Sequence, residues 1–224
     1  MYVTAVLLGG GAGLRLGLDT PKQFLDLDGE PVFQHCVAAF DKSTLVDAIV
    51  LVLPRDHVLD TKLPEKVVSV TVGGDTRQDS LAEGLVCLPD ETDIVVVHDA
   101  ARPLVRTKLI DRVIAAVQPP FDGALAAIPF EDAVKEVSLE GEVLRSRERG
   151  GLWRAQTPQA FTRTCLEDAL ARAQAEAIQC EDCSEMATHA GYRVRVVMGD
   201  PMNIKLTVID DLPLCESILR SRKS

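Results

Sequence analysis

The chain has 224 residues, 46% of them hydrophobic and 26% charged, and carries a formal net charge of −10. That length supports one sizeable α/β core and falls short of two average domains, so a single domain over residues 1–224 is expected. An acidic surface repels polyanions, which argues against nucleic acid as a partner and requires the cations that meet any anionic ligand to be gathered locally.

Six short β-rich runs punctuate the chain: Thr4–Leu8, Ala48–Leu53, Val67–Val72, Ile94–Val97, Ala124–Ile128 and Arg193–Val197. Several are apolar throughout, the habit of strands covered on both faces in a parallel sheet. Between them lie helical stripes: Phe33, Val37 and Phe40; Leu81, Leu85 and Leu88; Ile110, Val113, Ile114 and Val117. Pro31 suits a first helical position, Thr76 with Asp79 and Thr164 with Glu167 resemble capping boxes, and Gly191 fits a C-terminal stop. The βαβα order predicts a Rossmann-like α/β domain, with a mainly parallel sheet between helices.

From Glu131 to Gly151 the rhythm breaks. Val134, Val137, Leu139, Val143 and Leu144 flank Glu140-Gly141-Glu142, which predicts a projecting β-hairpin arm turning at Gly141. A lone hairpin is marginal in water, so a second subunit is expected to cover it.

The run Val3 to Leu8 is too short for a secretory h-region, and no apolar stretch approaches the roughly 18 residues of a membrane span. A soluble cytoplasmic protein without membrane contact is the expectation. Cys36, Cys87, Cys165, Cys180, Cys183 and Cys215 are scattered through apolar patterns, which suits reduced thiols better than a disulfide framework. Cys180 and Cys183 have the C-x-x-C spacing that can hold zinc or run redox chemistry, but there is no second pair. Glu181 and Asp182 between them would disfavour a thiolate, so the pair reads as a loop leading into a helix.

The first strand flows into a glycine-rich loop, Gly9-Gly10-Gly11-Ala12-Gly13, followed by Arg15, then Pro21-Lys22-Gln23-Phe24. Glycines let backbone N–H groups encircle phosphate oxygens, and Arg15 and Lys22 add fixed positive charge. Such loops also serve packing alone. The dinucleotide fingerprint G-x-G-x-x-G fails at Leu16, and Leu51-Val52-Leu53-Pro54 supplies no acidic residue for a ribose, which disfavours a nicotinamide-dependent dehydrogenase. The P-loop fails too, because the nearest lysine, Lys22, follows Pro21. Gly73-Gly74-Asp75 follows the third strand, and Asp99 and Arg102 follow the fourth. Strand carboxyl ends line the ligand crevice of an open α/β sheet, although Asp75, Ser80 and Asp99 can equally serve as local caps. His98 reads as a packing or hydrogen-bonding histidine.

The G-G-x-G-x-R loop with the later Pro-Lys resembles the nucleotide loop of sugar-nucleotide and related nucleotidyltransferases. Val97-His98-Asp99-Ala100-Ala101-Arg102-Pro103 and Gly151-Leu152-Trp153-Arg154-Ala155-Gln156-Thr157-Pro158-Gln159-Ala160-Phe161 resemble two signatures of the 2-C-methyl-D-erythritol 4-phosphate cytidylyltransferase family. With Gly73-Gly74-Asp75-x-Arg77-x-x-Ser80 and Asn203-Ile204-Lys205, the matching segments run in the family's order from near residue 4 to near residue 211. The resemblance implies transfer of CMP from CTP to a polyol phosphate by direct in-line attack, without a covalent intermediate. It implies catalytic roles for Arg15, Lys22 and Lys205. It places Gly10, Gly11, Ala12, Gly13, Gly74, Asp75, Arg77, Ser80, Asp99 and Ala100 around CTP, and Asp99, Arg102, Arg149, Thr157 and Lys205 around the acceptor. Mg²⁺, or another divalent cation, would be held mainly by the CTP phosphates with Asp99 nearby.

The resemblance also implies a homodimer through residues 131–151, with Arg149 presented to the neighbouring subunit's acceptor phosphate. Ala133 and Glu181 stand where threonines that contact the acceptor are expected. A ribitol 5-phosphate cytidylyltransferase shares much of this pattern, and Trp153 favours the methylerythritol phosphate reading. A non-catalytic nucleotide-binding regulator would lack the set Arg15, Lys22 and Lys205.

Overall fold

A computed structural model describes residues 1–10, 21–55 and 63–223. In chain order the elements are β1 (Tyr2–Leu8), the short strands β2 (Asp26–Leu27) and β3 (Glu30–Pro31), α1 (Val32–Asp41), β4 (Ala48–Leu53), β5 (Val67–Val72), α2 (Arg77–Val86) and β6 (Thr92–Asp99). There follow α3 (Thr107–Ala115), β7 (Gly123–Pro129), the pair β8 (Val134–Val137) and β9 (Val143–Arg147), β10 (Trp153–Thr162), α4 (Arg163–Ala175), α5 (Cys183–His189), β11 (Val194–Met198) and α6 (Asp211–Lys223). No helix among the described residues is long and apolar enough to cross a membrane.

Seven strands form one sheet in the order β11-β7-β10-β6-β1-β4-β5. All neighbours are parallel except β10, which runs antiparallel between β6 and β7. After β1 the chain pairs β4 on one side and later β6 on the other, so the carboxyl ends of β1 and β6 flank the topological switch point.

The period-2 alternation of strands sorts the core into two layers. Val3, Ala5 and Leu7 of β1 join Phe33 and Phe40 of α1 and Ile110 and Ile114 of α3 on one face. Val6 and Leu8 join Leu81 of α2, Leu166 of α4 and Met186 of α5 on the other. A third, smaller cluster seats Cys215 of α6 against Leu27, Val32, Leu104 and Leu206.

The six predicted strands are present within a residue or two of their expected ends. β10 is the strand the pattern did not signal. Its first three residues are exposed and the next six buried, so no single periodicity spans it. It also contains Pro158, after a cis Thr157–Pro158 bond, within the irregular stretch of its pairing with β7.

The Thr76–Asp79 capping box is present. At α4 the cap is Thr162, whose hydroxyl accepts from the Cys165 N–H, and Thr164 lies inside the helix. This corrects the expectation for Thr164 with Glu167. Pro31 is the cap residue of α1, one position before its first helical residue. Gly191, at φ +88°, ends α5 as expected: its N–H donates to Thr188 and that of Tyr192 to Ala187.

The arm forms as β8 and β9 with Gly141 at φ +87° in its turn. Glu136 binds Arg145 at 2.7 Å and Arg147 at 2.6 Å across it, while Val137, Leu139, Val143 and Leu144 are exposed.

Helix α2 lies close on the sheet because Gly84 has no side chain; a Cβ there would meet Val6 Cγ1 at 2.6 Å and Val52 Cγ2 at 3.1 Å. Gly84→Val should therefore lower the unfolding free energy by about 2 kcal/mol or more in chemical denaturation, and wild-type stability would show that α2 can back away.

Candidate active site

A cavity of about 570 Å³ opens at the carboxyl ends of β1, β5 and β6. Gly10, Lys22, Gly74, Asp75, Arg77 and Ser80 contribute to its wall, with Asp99 and Lys205 completing the charged part. The loop after β1, the loop after β5, the end of β6 and the segment before α6 thus converge, as the strand order requires.

Gly10 and Gly73 permit the close approach of the first two loops. A Cβ on Gly10 would lie 2.9 Å from Gly73 Cα and from Ser80 Oγ. Ser80 Oγ in turn donates to the Gly74 carbonyl at 3.4 Å, and Gln23 Nε2 donates to the Gly9 carbonyl. Arg15 with Gly11, Ala12 and Gly13 lies outside the described residues.

Asp99 is the electrostatic centre. Lys205 Nζ donates to its Oδ2 at 2.7 Å and Arg77 Nε to its Oδ1 at 3.3 Å. Burial by itself would raise the carboxyl pKa; Arg77 and Lys205 outweigh it and hold the group well below the usual carboxylate range. Asp99 is therefore an anion throughout the physiological range.

Behind Asp99 a buried relay fixes the end of β6. The Thr157 hydroxyl accepts from the Asp99 N–H at 3.1 Å and lies 3.0 Å from His98 Nδ1, while His98 Nε2 lies 3.2 Å from the Arg102 carbonyl. A carbonyl can only accept, so Nε2 carries the proton and Nδ1 accepts from Thr157. Burial pushes the imidazole down to about 4, which keeps this neutral tautomer in place. His98 is thus the hydrogen-bonding histidine expected.

The carbonyls of Ala100 and Arg102 also accept from the Cys36 thiol, at 3.5 and 3.4 Å. Asn203 Nδ2 donates to the Thr157 carbonyl at 2.8 Å, and Arg102 Nη1 to the Asn203 carbonyl at 2.9 Å, joining the loop that carries Lys205 to the same network.

The structure brings Gly10, Lys22, Gly74, Asp75, Arg77, Ser80, Asp99 and Lys205 to one cavity. Ala100 is fully buried, with its N–H bound to the Leu8 carbonyl, and Ala101 takes the wall position instead. Thr157 is buried behind Asp99, and Arg102 belongs to the supporting network. Arg149 sits at the root of the arm, where Nη1 donates to the Glu131 carbonyl.

Gln23, Thr76, Gln179 and Cys180 line the cavity without having been singled out for it. Gln23 had a signal in its position beside Lys22; Gln179 and Cys180 had only their place before the capped start of α5. Glu181 also reaches the wall.

A family model for 2-C-methyl-D-erythritol 4-phosphate cytidylyltransferase matches residues 3–221. The chain belongs to the 2-C-methyl-D-erythritol 4-phosphate cytidylyltransferase family. Among its relatives, the protein so named from Syntrophus aciditrophicus is 36% identical over 228 residues, covering 99% of this chain and 97% of its own length. The one from Aquifex aeolicus is 39% identical over 219 residues, covering 98% of each. The crystal structure of 2-C-methyl-D-erythritol 4-phosphate cytidylyltransferase from Thermus thermophilus has a TM-score of 0.80 at 29% identity, covering 98% of this chain and 100% of that one. Membership of the 2-C-methyl-D-erythritol 4-phosphate cytidylyltransferase family makes the chain a CTP-dependent nucleotidyltransferase.

The neutral His98 has a measurable consequence. Its native pKa is about 4, against about 6.5 for an unperturbed histidine, so below the latter an unfolded chain takes up a proton that the native state excludes. Stability should fall as pH is lowered from about 6.5 towards 4, and His98→Gln should flatten that decline in urea unfolding curves at pH 7 and 5. An unchanged decline would place the proton uptake elsewhere.

Proposed function

We propose that the cavity binds CTP and 2-C-methyl-D-erythritol 4-phosphate side by side, and that the chain's residues align them for in-line transfer of CMP. The observation that carries the reading is the convergence of Lys22, Arg77 and Lys205 on one cavity in a chain of net charge −10. An oxygen of the acceptor phosphate forms a bond to the α-phosphorus of CTP as the bond from that phosphorus to the bridging oxygen of the β-phosphate breaks. The leaving electron pair departs with pyrophosphate, and the product is 4-diphosphocytidyl-2-C-methyl-D-erythritol.

A phosphate monoester is already a competent nucleophile, so no covalent intermediate is needed. Lys22, Lys205 and Arg15 neutralise the charge gathering on the α-phosphate. Gly10, Gly11, Ala12 and Gly13 approach the phosphates. Gly74, Asp75, Arg77, Ser80, Asp99 and the 100–101 backbone frame the nucleoside. Backbone carbonyls near Gly74 accept from the cytosine amine, and Ser80 orders that segment. Lys205 faces the acceptor, Arg102 supports Lys205 from behind through the Asn203 carbonyl, and Thr157 holds Asp99 in register.

Divalent-cation dependence is common among nucleotidyltransferases, and Asp99 offers hard oxygen at the cavity wall. Among the described residues no group of three metal-ligating side chains occurs. This donor set suits Mg²⁺ taking most of its ligands from substrate phosphates and water, with Asp99 as the residue that would hold it. Such an ion supplies Lewis-acid neutralisation of phosphate charge when bound. A cytoplasmic location fits the six free thiols.

If CTP is read through the Gly74–Ser80 segment, pyrophosphate release with methylerythritol phosphate should be at least about 100-fold faster with CTP than with UTP at equal concentration. UTP differs where cytosine carries its amine, and equal turnover would refute the assigned base reader. Ribitol 5-phosphate in parallel tests the acceptor; preference for it would move the chain to the related activity.

The arm supports a homodimer through residues 131–151. Its Val137, Leu139, Val143 and Leu144 are exposed in the single chain, and two arms paired about a two-fold axis would bury both sets. In that arrangement Arg149 completes the acceptor site of the neighbouring subunit. Lys22→Ala and Arg149→Ala should each lower kcat by about 100-fold or more. Mixing the two inactive proteins should restore activity, because one of the two sites in a mixed dimer then has both residues intact. No recovery after verified subunit exchange would show that each site is built from one chain.

A further inference from the structure

Arg77 is a cavity-wall cation whose geometry depends on an uncharged partner. It leaves the first turn of α2, and its guanidinium lies between the end of β6 and the start of α5. Nε donates to Asp99 Oδ1 at 3.3 Å, Nη1 donates to Cys183 Sγ at 3.4 Å, and Nη2 is buried without an acceptor among the described residues. A planar guanidinium is fixed in orientation by two anchors and can swing about one. Here the anchors are a carboxylate and a thiol.

The thiol is itself rigidly held. Cys183 is fully buried as the first residue of α5, whose cap Asp182 accepts from the Glu185 N–H at 2.9 Å and from Gln159 Nε2 at 3.0 Å. Gln159 Oε1 accepts in return from the Ser184 N–H at 3.1 Å, tying the start of α5 to β10 in the sheet. Burial pushes the Cys183 thiol up, against the opposing pull of Arg77, so the sulfur stays protonated and neutral.

That neutrality decides the local charge. Lys205 and Arg77 share one carboxylate, Asp99, so this triad carries one net positive charge. A second carboxylate at position 183 would orient Arg77 equally well but cancel that charge; an alanine would preserve the charge but release the guanidinium.

We infer that Cys183 is a positioning residue for nucleotide binding, holding Arg77 in place through a neutral sulfur so that its charge remains available to CTP. The inference rests on the reading of the cavity as the CTP site. Among the described residues nothing else anchors Nη1, so the effect of Cys183 should appear in affinity for CTP rather than in the chemical step.

The test measures CTP binding by calorimetry and steady-state kinetics on the full chain. Cys183→Ala should raise the Kd for CTP about 5- to 10-fold and the KM in step, with kcat at saturating CTP within about twofold of wild type. Cys183→Ser, which restores a small neutral acceptor, should recover most of the affinity, and Cys183→Asp should weaken CTP at least as much as Cys183→Ala.

A purely structural role is separated by Cys165→Ala, at a cysteine buried in the same core cluster. It should lower Tm and leave the Kd for CTP unchanged. A folded Cys183→Ala protein with wild-type Kd, or an equal rise in Kd for Cys165→Ala, would overturn the inference. Failure of the wild type itself to bind CTP would overturn the functional reading along with it, so the two failures are distinguishable.

Discussion

A single carboxylate gathers segments that are far apart in the chain. Asp99 ends the central strand β6, and each of its two oxygens takes one cation: Oδ1 takes Arg77 from α2 and Oδ2 takes Lys205 from the segment before α6. A buried carboxylate unaccompanied by positive charge would be costly, and either cation alone would face a half-satisfied anion. The three together form a local unit whose charge is fixed across physiological pH. The cavity wall is built around it.

The relay behind Asp99 explains why buried polar groups are tolerated in an otherwise apolar sheet. Thr157 and His98 find partners and Asn203 does so through Nδ2, although its Oδ1 is buried without one among the described residues, and the protonation state of His98 follows from the carbonyl it faces. The loop from Ala100 to Arg102 is fastened by the Cys36 thiol and by the backbone of β1. Rigid backing of this kind suits a transfer reaction in which the protein's contribution is alignment and charge neutralisation.

The parts of the fold with a regular burial pattern were readable from the sequence. β1, β4 and β7 are almost wholly buried, and the stripes of α1 and α3 follow the helical period, so those elements announced themselves. β10 was not readable as a strand, because it passes from solvent into the core along its length and is antiparallel in a parallel sheet. The cap of α4 was misplaced by two residues, since Thr162 and Thr164 are chemically alike and only the backbone direction at Thr162 distinguishes them.

Within the site, Lys22 and Asp99 were legible because charged residues next to glycine loops and strand ends point to ligands, and Lys205 through the family resemblance of Asn203-Ile204-Lys205. The tie between Cys183 and Arg77 was not, because it joins residues 106 positions apart and uses a thiol that reads as core. The same limit applied to Thr157, whose place beneath Asp99 depends on the pairing of β10 with β6. The measurement that tests the account most directly is a crystal structure of the full chain soaked with CTP. The account predicts the triphosphate beside Lys22 and the cytosine against the Gly74–Ser80 segment, with Asp99 still bridging Arg77 and Lys205. A nucleotide bound away from this cavity, or an Asp99 detached from both cations, would contradict it.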